Sequence, residues 1–208
     1  DYGFPSAPMR LLLITNLYPP QELGGYGRCM ADFCWGLKQR GHKLQVLCHD
    51  ASYLGSASRT GPSGEPVARE LLLKGDFNNG VHLMQDASEQ HAVDKHNQAV
   101  IQHWLENDRW DGILLGNIDL LGVGLLHMLL GHALPVLHHV GFVHSPYAIN
   151  QQPKVENYHL LAASHAVKAR LIEEGISANN ASIVYPGART ELFGPGAIRR
   201  SSPEPPCR

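Results

Sequence analysis

The 208-residue sequence has no run of basic residues and carries a formal net charge of −2. It therefore lacks the electrostatic footprint of a nucleic-acid-binding protein, and nucleic acid is not an expected partner. No apolar stretch approaches the length that crosses a bilayer, so no transmembrane segment is expected. The opening residues Asp1-Tyr2-Gly3-Phe4-Pro5-Ser6-Ala7-Pro8 have neither the basic nor the apolar part of a signal peptide, which makes a cytoplasmic location the default expectation. Cysteine is sparse: Cys29, Cys34, Cys48 and Cys207 lack metal-ligand spacing, and three fall in predicted core elements, as reduced structural thiols would. Histidine is frequent, yet His82, His91, His96, His103, His127 and His132 are scattered without a ligand motif, so no metal is expected.

What is present is an ordinary core-forming composition, 43% apolar and 17% charged, organised around residues 9–50. The run Arg10-Leu11-Leu12-Leu13-Ile14-Thr15 is nearly all apolar rather than alternating, which predicts a central strand covered on both faces in a parallel sheet. After it, Pro19-Pro20 forbids regular structure, and Gly24, Gly25 and Gly27 allow close backbone approach. A helix is predicted to start at or near Gly25, with Met30, Phe33, Cys34 and Leu37 on one face, Lys38 and Arg40 in the last turn and Gly41 as the residue after it. Such a corner brings free N–H groups and the positive end of a helix dipole to a strand's end, which suits a phosphate. Gly24 and Gly25 are the candidate cradle; the plainer alternative is a tight turn. Arg28, in the first helical turn, opposes the dipole unless an anion or an acidic side chain lies nearby.

A second strand over residues 43–48 ends at His49-Asp50, where an acid in a dinucleotide-binding unit would hold a ribose hydroxyl. The Gly-x-Gly-x-x-Gly fingerprint of such units is missing, so an NAD(P)-dependent oxidoreductase domain is a weaker alternative. Residues 51–66 read as a surface loop with some disorder, residues 67–73 as a third strand and residues 76–80 as a turn. A helix is predicted from Ser88 to about Asn107, then a strand over residues 112–116 and an apolar helix over residues 120–130. Asn117 and Asp119 thus sit at a strand's carboxyl end, where ligands bind in open α/β sheets, with a helix N-cap as the competing role for Asp119. A further buried strand, residues 135–141, carries His138 and His139 and leads to His144 and Tyr147. A neutral imidazole there can hydrogen-bond sugar hydroxyls, while core packing or a three-histidine metal site are the alternatives. Residues 159–163 and 182–186 supply two more strands, and Ser164 reads as an N-cap, with a place at the crevice as its alternative role.

The order Pro19-Pro20, Gly24-Gly25-Tyr26-Gly27-Arg28, Gly41-His42, with Leu161-Ala162-Ala163-Ser164-His165 and Val184-Tyr185-Pro186-Gly187 later, resembles the N-terminal domain of family 4 glycosyltransferases, retaining enzymes of the GT-B architecture. The resemblance implies a Rossmann-like open, mostly parallel α/β sheet with helices on both faces over residues 9–193. Met9 begins the first strand so directly that residues 1–8 are expected to be a leader, and the resemblance implies that residues 194–208 are a linker toward a C-terminal nucleotide-sugar domain. The family's Glu-x7-Glu signature is not found in these 208 residues, so the expectation is half of a hexosyltransferase-type enzyme. The donor would be a nucleotide-diphosphate sugar, the other partner an acceptor hydroxyl, and no cofactor would be required. The resemblance places a histidine beside the donor sugar; His139 is preferred over His138, since adjacent strand residues face opposite ways. The acceptor crevice would take in Asn117, Asp119, His144 and Tyr147. A non-catalytic flavodoxin-like ligand-binding module is the remaining alternative.

Overall fold

A computed structural model describes residues 7–189, so most of the expected leader and the whole expected linker, residues 194–208, lie outside the described residues. Seven strands build one sheet: β1 (Arg10–Ile14), β2 (Lys43–His49), β3 (Val67–Leu71), β6 (Gly112–Leu115), β7 (Val136–Val140), β8 (Tyr158–Ala162) and β9 (Ser182–Ile183). Between β3 and β6 the chain adds a small antiparallel hairpin, β4 (Gly75–Asp76) with β5 (His82–Leu83). The sheet runs β3-β2-β1-β6-β7-β8-β9, and every neighbouring pair is parallel. The helices are α1 (Tyr26–Gln39), α2 (Ala87–Glu106), α3 (Val123–Leu130) and α4 (His165–Glu173). This is the expected Rossmann-like α/β architecture.

The unbroken apolar run of β1 follows from its place in the middle. Leu12, Leu13 and Ile14 are fully buried, Leu12 and Ile14 on one face and Leu13 on the other, and each contributes about 2 kcal/mol by leaving water. The first face packs Leu12, Ile14, Ile113, Leu115, Val136 and Leu160 against α2, α3 and α4 through Ile101, Leu125, Leu129, Val167 and Leu171. The second face packs Leu13, Val46, Cys48 and Leu114 against Met30, Ala31 and Cys34 of α1. Among the described residues α1 is the only helix on that second face. Beyond it an apolar groove of about 730 Å³ opens over β6, β7 and β8, floored by Leu114, Leu137 and Leu161 and bounded by Phe33, Leu37 and residues 184–189. Arg189 closes one end of the groove through Nε to Asp32 Oδ1 at 2.8 Å.

Several local expectations shift. The helix after β6 begins at Val123, capped at Gly122 with φ +85°, so Asp119 is not its N-cap. Ser164 does cap α4, its hydroxyl accepting from the Val167 N–H at 3.1 Å. The turn at residues 76–80 belongs to the β4–β5 hairpin, whose two-residue strands are too short to show an alternating pattern. Residues 51–66 are not a loose loop. Glu65 inside them is fully buried, its carboxylate accepting from the Tyr18 hydroxyl and from the Ser63 N–H.

Candidate functional site

The sheet order reverses at β1: the chain goes from β1 to β2 on one side, and β6 pairs with β1 on the other. Loops leaving the carboxyl ends of β1 and β6 therefore part company, and a crevice opens between them. Asn16 holds the two ends together. Its N–H donates to the Asn117 carbonyl at 2.9 Å, its side-chain amide donates to the Asp119 carbonyl at 3.2 Å, and its own carbonyl accepts from the His49 N–H at 3.1 Å. Asn16 is 4% exposed, so these bonds are screened from water and fix the crevice floor.

At the first βα corner, Gly24 has φ +69° and Gly25 is the N-cap of α1. Both are exposed, and a Cβ built on either would meet nothing within 4 Å, so the corner is open backbone. No side chain caps α1 and its first turn carries no acidic residue, which leaves its first N–H groups pointing outward without a side-chain acceptor. Arg28 pairs with Glu22 at 2.6 Å on the surface beside the corner.

Next to this corner lies a cavity of about 270 Å³ lined on one side by Tyr26, on another by Gly116, Asn117 and Asp119, and on the third by Gly141, Phe142, His144 and Ser145. His138 and His139 also reach its lining. Of the residues named from the sequence, the structure thus brings Asn117, Asp119, His138, His139 and His144 together. Gly24, Gly25 and Arg28 stand one step away, joined to the cavity through Tyr26. Tyr147 is outside the lining; it is buried, with its hydroxyl 3.2 Å from that of Tyr158.

The two adjacent histidines face opposite sides of the sheet. His138 packs with Tyr158, whose hydroxyl is 2.8 Å from Nδ1, and the ring also bonds the Gly116 backbone. Burial, reinforced by the neighbouring His139, lowers its pKa from 6.5 to about 3, so it is neutral in the fold. His139 faces α1, its ring 5.0 Å from that of Phe33 in an edge contact. Its Nε2 lies 3.2 Å from the Val184 carbonyl, which only accepts, so Nε2 carries the hydrogen; the Tyr26 hydroxyl donates to the His139 carbonyl and lies 3.0 Å from Nδ1. Burial lowers the His139 pKa as well, against the opposing bond to Val184. Both rings thus have each nitrogen beside a partner in the protein. His144 is exposed on the cavity wall and presents its ring to whatever enters.

Tyr26 and Asn16 were not among the site residues expected from the sequence. Tyr26 stacks on Phe142 at 5.3 Å with the planes 17° apart, and a Cβ on Gly141 would stand 2.5 Å from the Tyr26 ring. Glycine at 141 is therefore what lets the ring lie against that strand end. The sequence signal for Asn16 was its place directly after an unbroken apolar strand, the same position that drew attention to Asn117 after β6.

No family model matches the sequence, and no curated protein matches it. Solved structures do. Over 91% of this chain the fold is similar to that of Anabaena Alr3699/HepE, crystallised with UDP and glucose, at a TM-score of 0.59 and 18% identity, covering 48% of that protein. It is also similar to a glycosyltransferase from Rickettsia africae, at a TM-score of 0.62 and 13% identity over 92% of this chain and 46% of that one. The fold is one half of a GT-B fold. UDP-GlcNAc 2-epimerase from Neisseria meningitidis, crystallised with UDP-GlcNAc, aligns with this GT-B half at a TM-score of 0.50 and 12% identity, over 84% of this chain and 45% of the epimerase. The chain spans about half the length of each of these matched structures.

Proposed function

We propose that this chain is the acceptor-side, N-terminal domain of a retaining family 4 glycosyltransferase, which moves a hexose from a nucleotide-diphosphate sugar to an acceptor hydroxyl. The observation that carries the reading is the open corner at Gly24 and Gly25, where bare amides at the start of α1 stand beside a polar cavity at the sheet's carboxyl edge. Breaking an anomeric bond moves negative charge onto the departing diphosphate. Oriented N–H groups interact with that growing charge more strongly than with the intact donor, so they lower the barrier rather than merely tighten binding. Arg28 lies within the same turn and adds positive charge once its pairing with Glu22 exchanges for an anion.

In this reading the acceptor rests against Asn117, Asp119 and His144. His139 stays beside the reacting centre and holds Tyr26 in place through its carbonyl, with Nδ1 alongside, while His138 keeps the Gly116 end of β6 fixed from the opposite face. Tyr147 supports His138 through Tyr158. The donor's base and much of its diphosphate would be held by a second Rossmann-like domain, in line with the half-length match.

The test compares these 208 residues with the longer protein in a release assay for nucleoside diphosphate, using UDP-glucose and other nucleotide sugars with and without added hydroxyl acceptors. The chain alone is expected to show negligible transfer and weak nucleotide affinity, and the longer protein to turn over with retained anomeric configuration. Robust transfer by the 208 residues would overturn the half-enzyme reading. Epimerised sugar, or tight NAD binding in place of transfer, would overturn the glycosyltransferase reading.

A further inference from the structure

Arg69, on β3, lies far from any motif in the sequence, yet its guanidinium ties the loop between β1 and α1 to the loop after β2. Nε donates to the Ser58 carbonyl at 3.0 Å. Nη1 donates to the Tyr18 carbonyl at 3.1 Å and to Gln21 Oε1 at 3.0 Å. Nη2 donates to the Tyr18 carbonyl at 3.1 Å and to the Pro19 carbonyl at 2.8 Å. Within the loop the Tyr18 carbonyl also accepts from the Gln21 N–H at 3.2 Å; Pro19 and Pro20 have no N–H to offer, and the planar fork of an arginine can serve several carbonyls at once. Gln21 extends the clamp. It is fully buried, its Nε2 donates to Asp50 Oδ1 at 2.8 Å and to the Gly55 carbonyl at 3.2 Å, and its Oε1 also accepts from the Ala51 N–H at 2.8 Å. The loops after β1 and β2 are thus one body, and the clamped residues end just before the open glycines and Tyr26.

We propose that Arg69 is a positioning residue for the cleft: by fixing residues 18–21 it sets where Tyr26 and the amides beside it stand opposite Asn117 and Gly141. The proposal rests on the cleft reading above. A lysine cannot replace it, because a single ammonium on a flexible stem cannot reach Ser58, Pro19 and Gln21 together.

The experiment is a titration of the 15N-labelled 208-residue protein with UDP, following the amide shifts of Tyr26, Asn117 and Gly141, together with amide hydrogen exchange. Wild type is expected to shift at all three positions. Arg69→Lys and Arg69→Gln are expected to bind UDP about fivefold or more weakly. In both variants the Gln21 amide should exchange about tenfold faster while the Leu13 and Leu114 amides keep their protection. Arg59→Ala removes one positive charge from the neighbouring loop without touching the clamp, and should stay within about twofold of wild type. Unchanged UDP binding in Arg69→Gln overturns the proposal. Equal weakening in Arg59→Ala overturns it too, by making net charge the cause, and so does loss of protection throughout the sheet in both Arg69 variants. No UDP-induced shift at these amides in wild type overturns the cleft reading itself, and the positioning role with it.

Discussion

Lowering the pH from 7 to 4.5 is expected to remove about 2 to 3 kcal/mol of unfolding free energy through His138 alone. Its pKa falls from 6.5 to about 3 because the ring is buried on the α2–α4 face of the sheet and the neighbouring His139 adds to the effect. Between those two values the unfolded chain binds a proton that the folded chain does not. Stability therefore rises with pH through this window and is lost as the pH drops below 6.5, with the penalty complete near the folded pKa. His139, shifted in the same direction by burial, steepens the loss. Urea unfolding of wild type and His138→Gln at pH 7, 5.5 and 4.5 measures it: the variant should lose less stability over this range, by about the same 2 to 3 kcal/mol. Identical pH dependence in the two proteins would mean that the ring is protonated in the folded state without cost, contrary to its surroundings.

Gly116→Ala is expected to cost about 1 to 3 kcal/mol, and Gly116→Val more. Gly116 ends β6 under α1, where a Cβ would stand 2.9 Å from Met30 Sδ, 2.9 Å from Thr15 Oγ1 and 3.1 Å from Thr15 Cβ. Met30 can yield by changing rotamer, but Thr15 is fully buried and its hydroxyl accepts from the Asn117 N–H at 3.3 Å. The added carbon would push on the bond that sets the direction of the β6 loop, so the damage reaches the cavity as well as the core. Urea midpoints of the two variants check the magnitude. A wild-type midpoint for Gly116→Val would show that the end of β6 has room to move.

The elements with one dominant physical signal were legible in the sequence. The unbroken apolar runs of β1 and β6, the helical spacing of Met30, Phe33, Cys34 and Leu37, and Gly41 after α1, with φ +86°, each depend on a few neighbouring residues. The clamp was not legible, because Arg69 and Tyr18 are 51 residues apart and neither position differs from a common surface arginine or core tyrosine when taken alone. The order in residues 51–66 was hidden for the same reason: a Ser- and Gly-rich composition says loop, and only partners elsewhere make the loop rigid. At the cleft, position along each strand was enough to single out Asn117, Asp119 and the three histidines. The tautomer of His139 was beyond reach, since it depends on the Val184 carbonyl, 45 residues further on.

The ladder between β1 and β6 has a consequence for the order in which the molecule assembles. The N–H of Arg10 donates to the carboxylate of Asp111, 101 positions along the chain, and Leu11 pairs with Gly112. β1 can pair early with β2, but it must wait for its other neighbour until the chain 101 positions further on has been made. The cleft beside it can take shape only after that long closure.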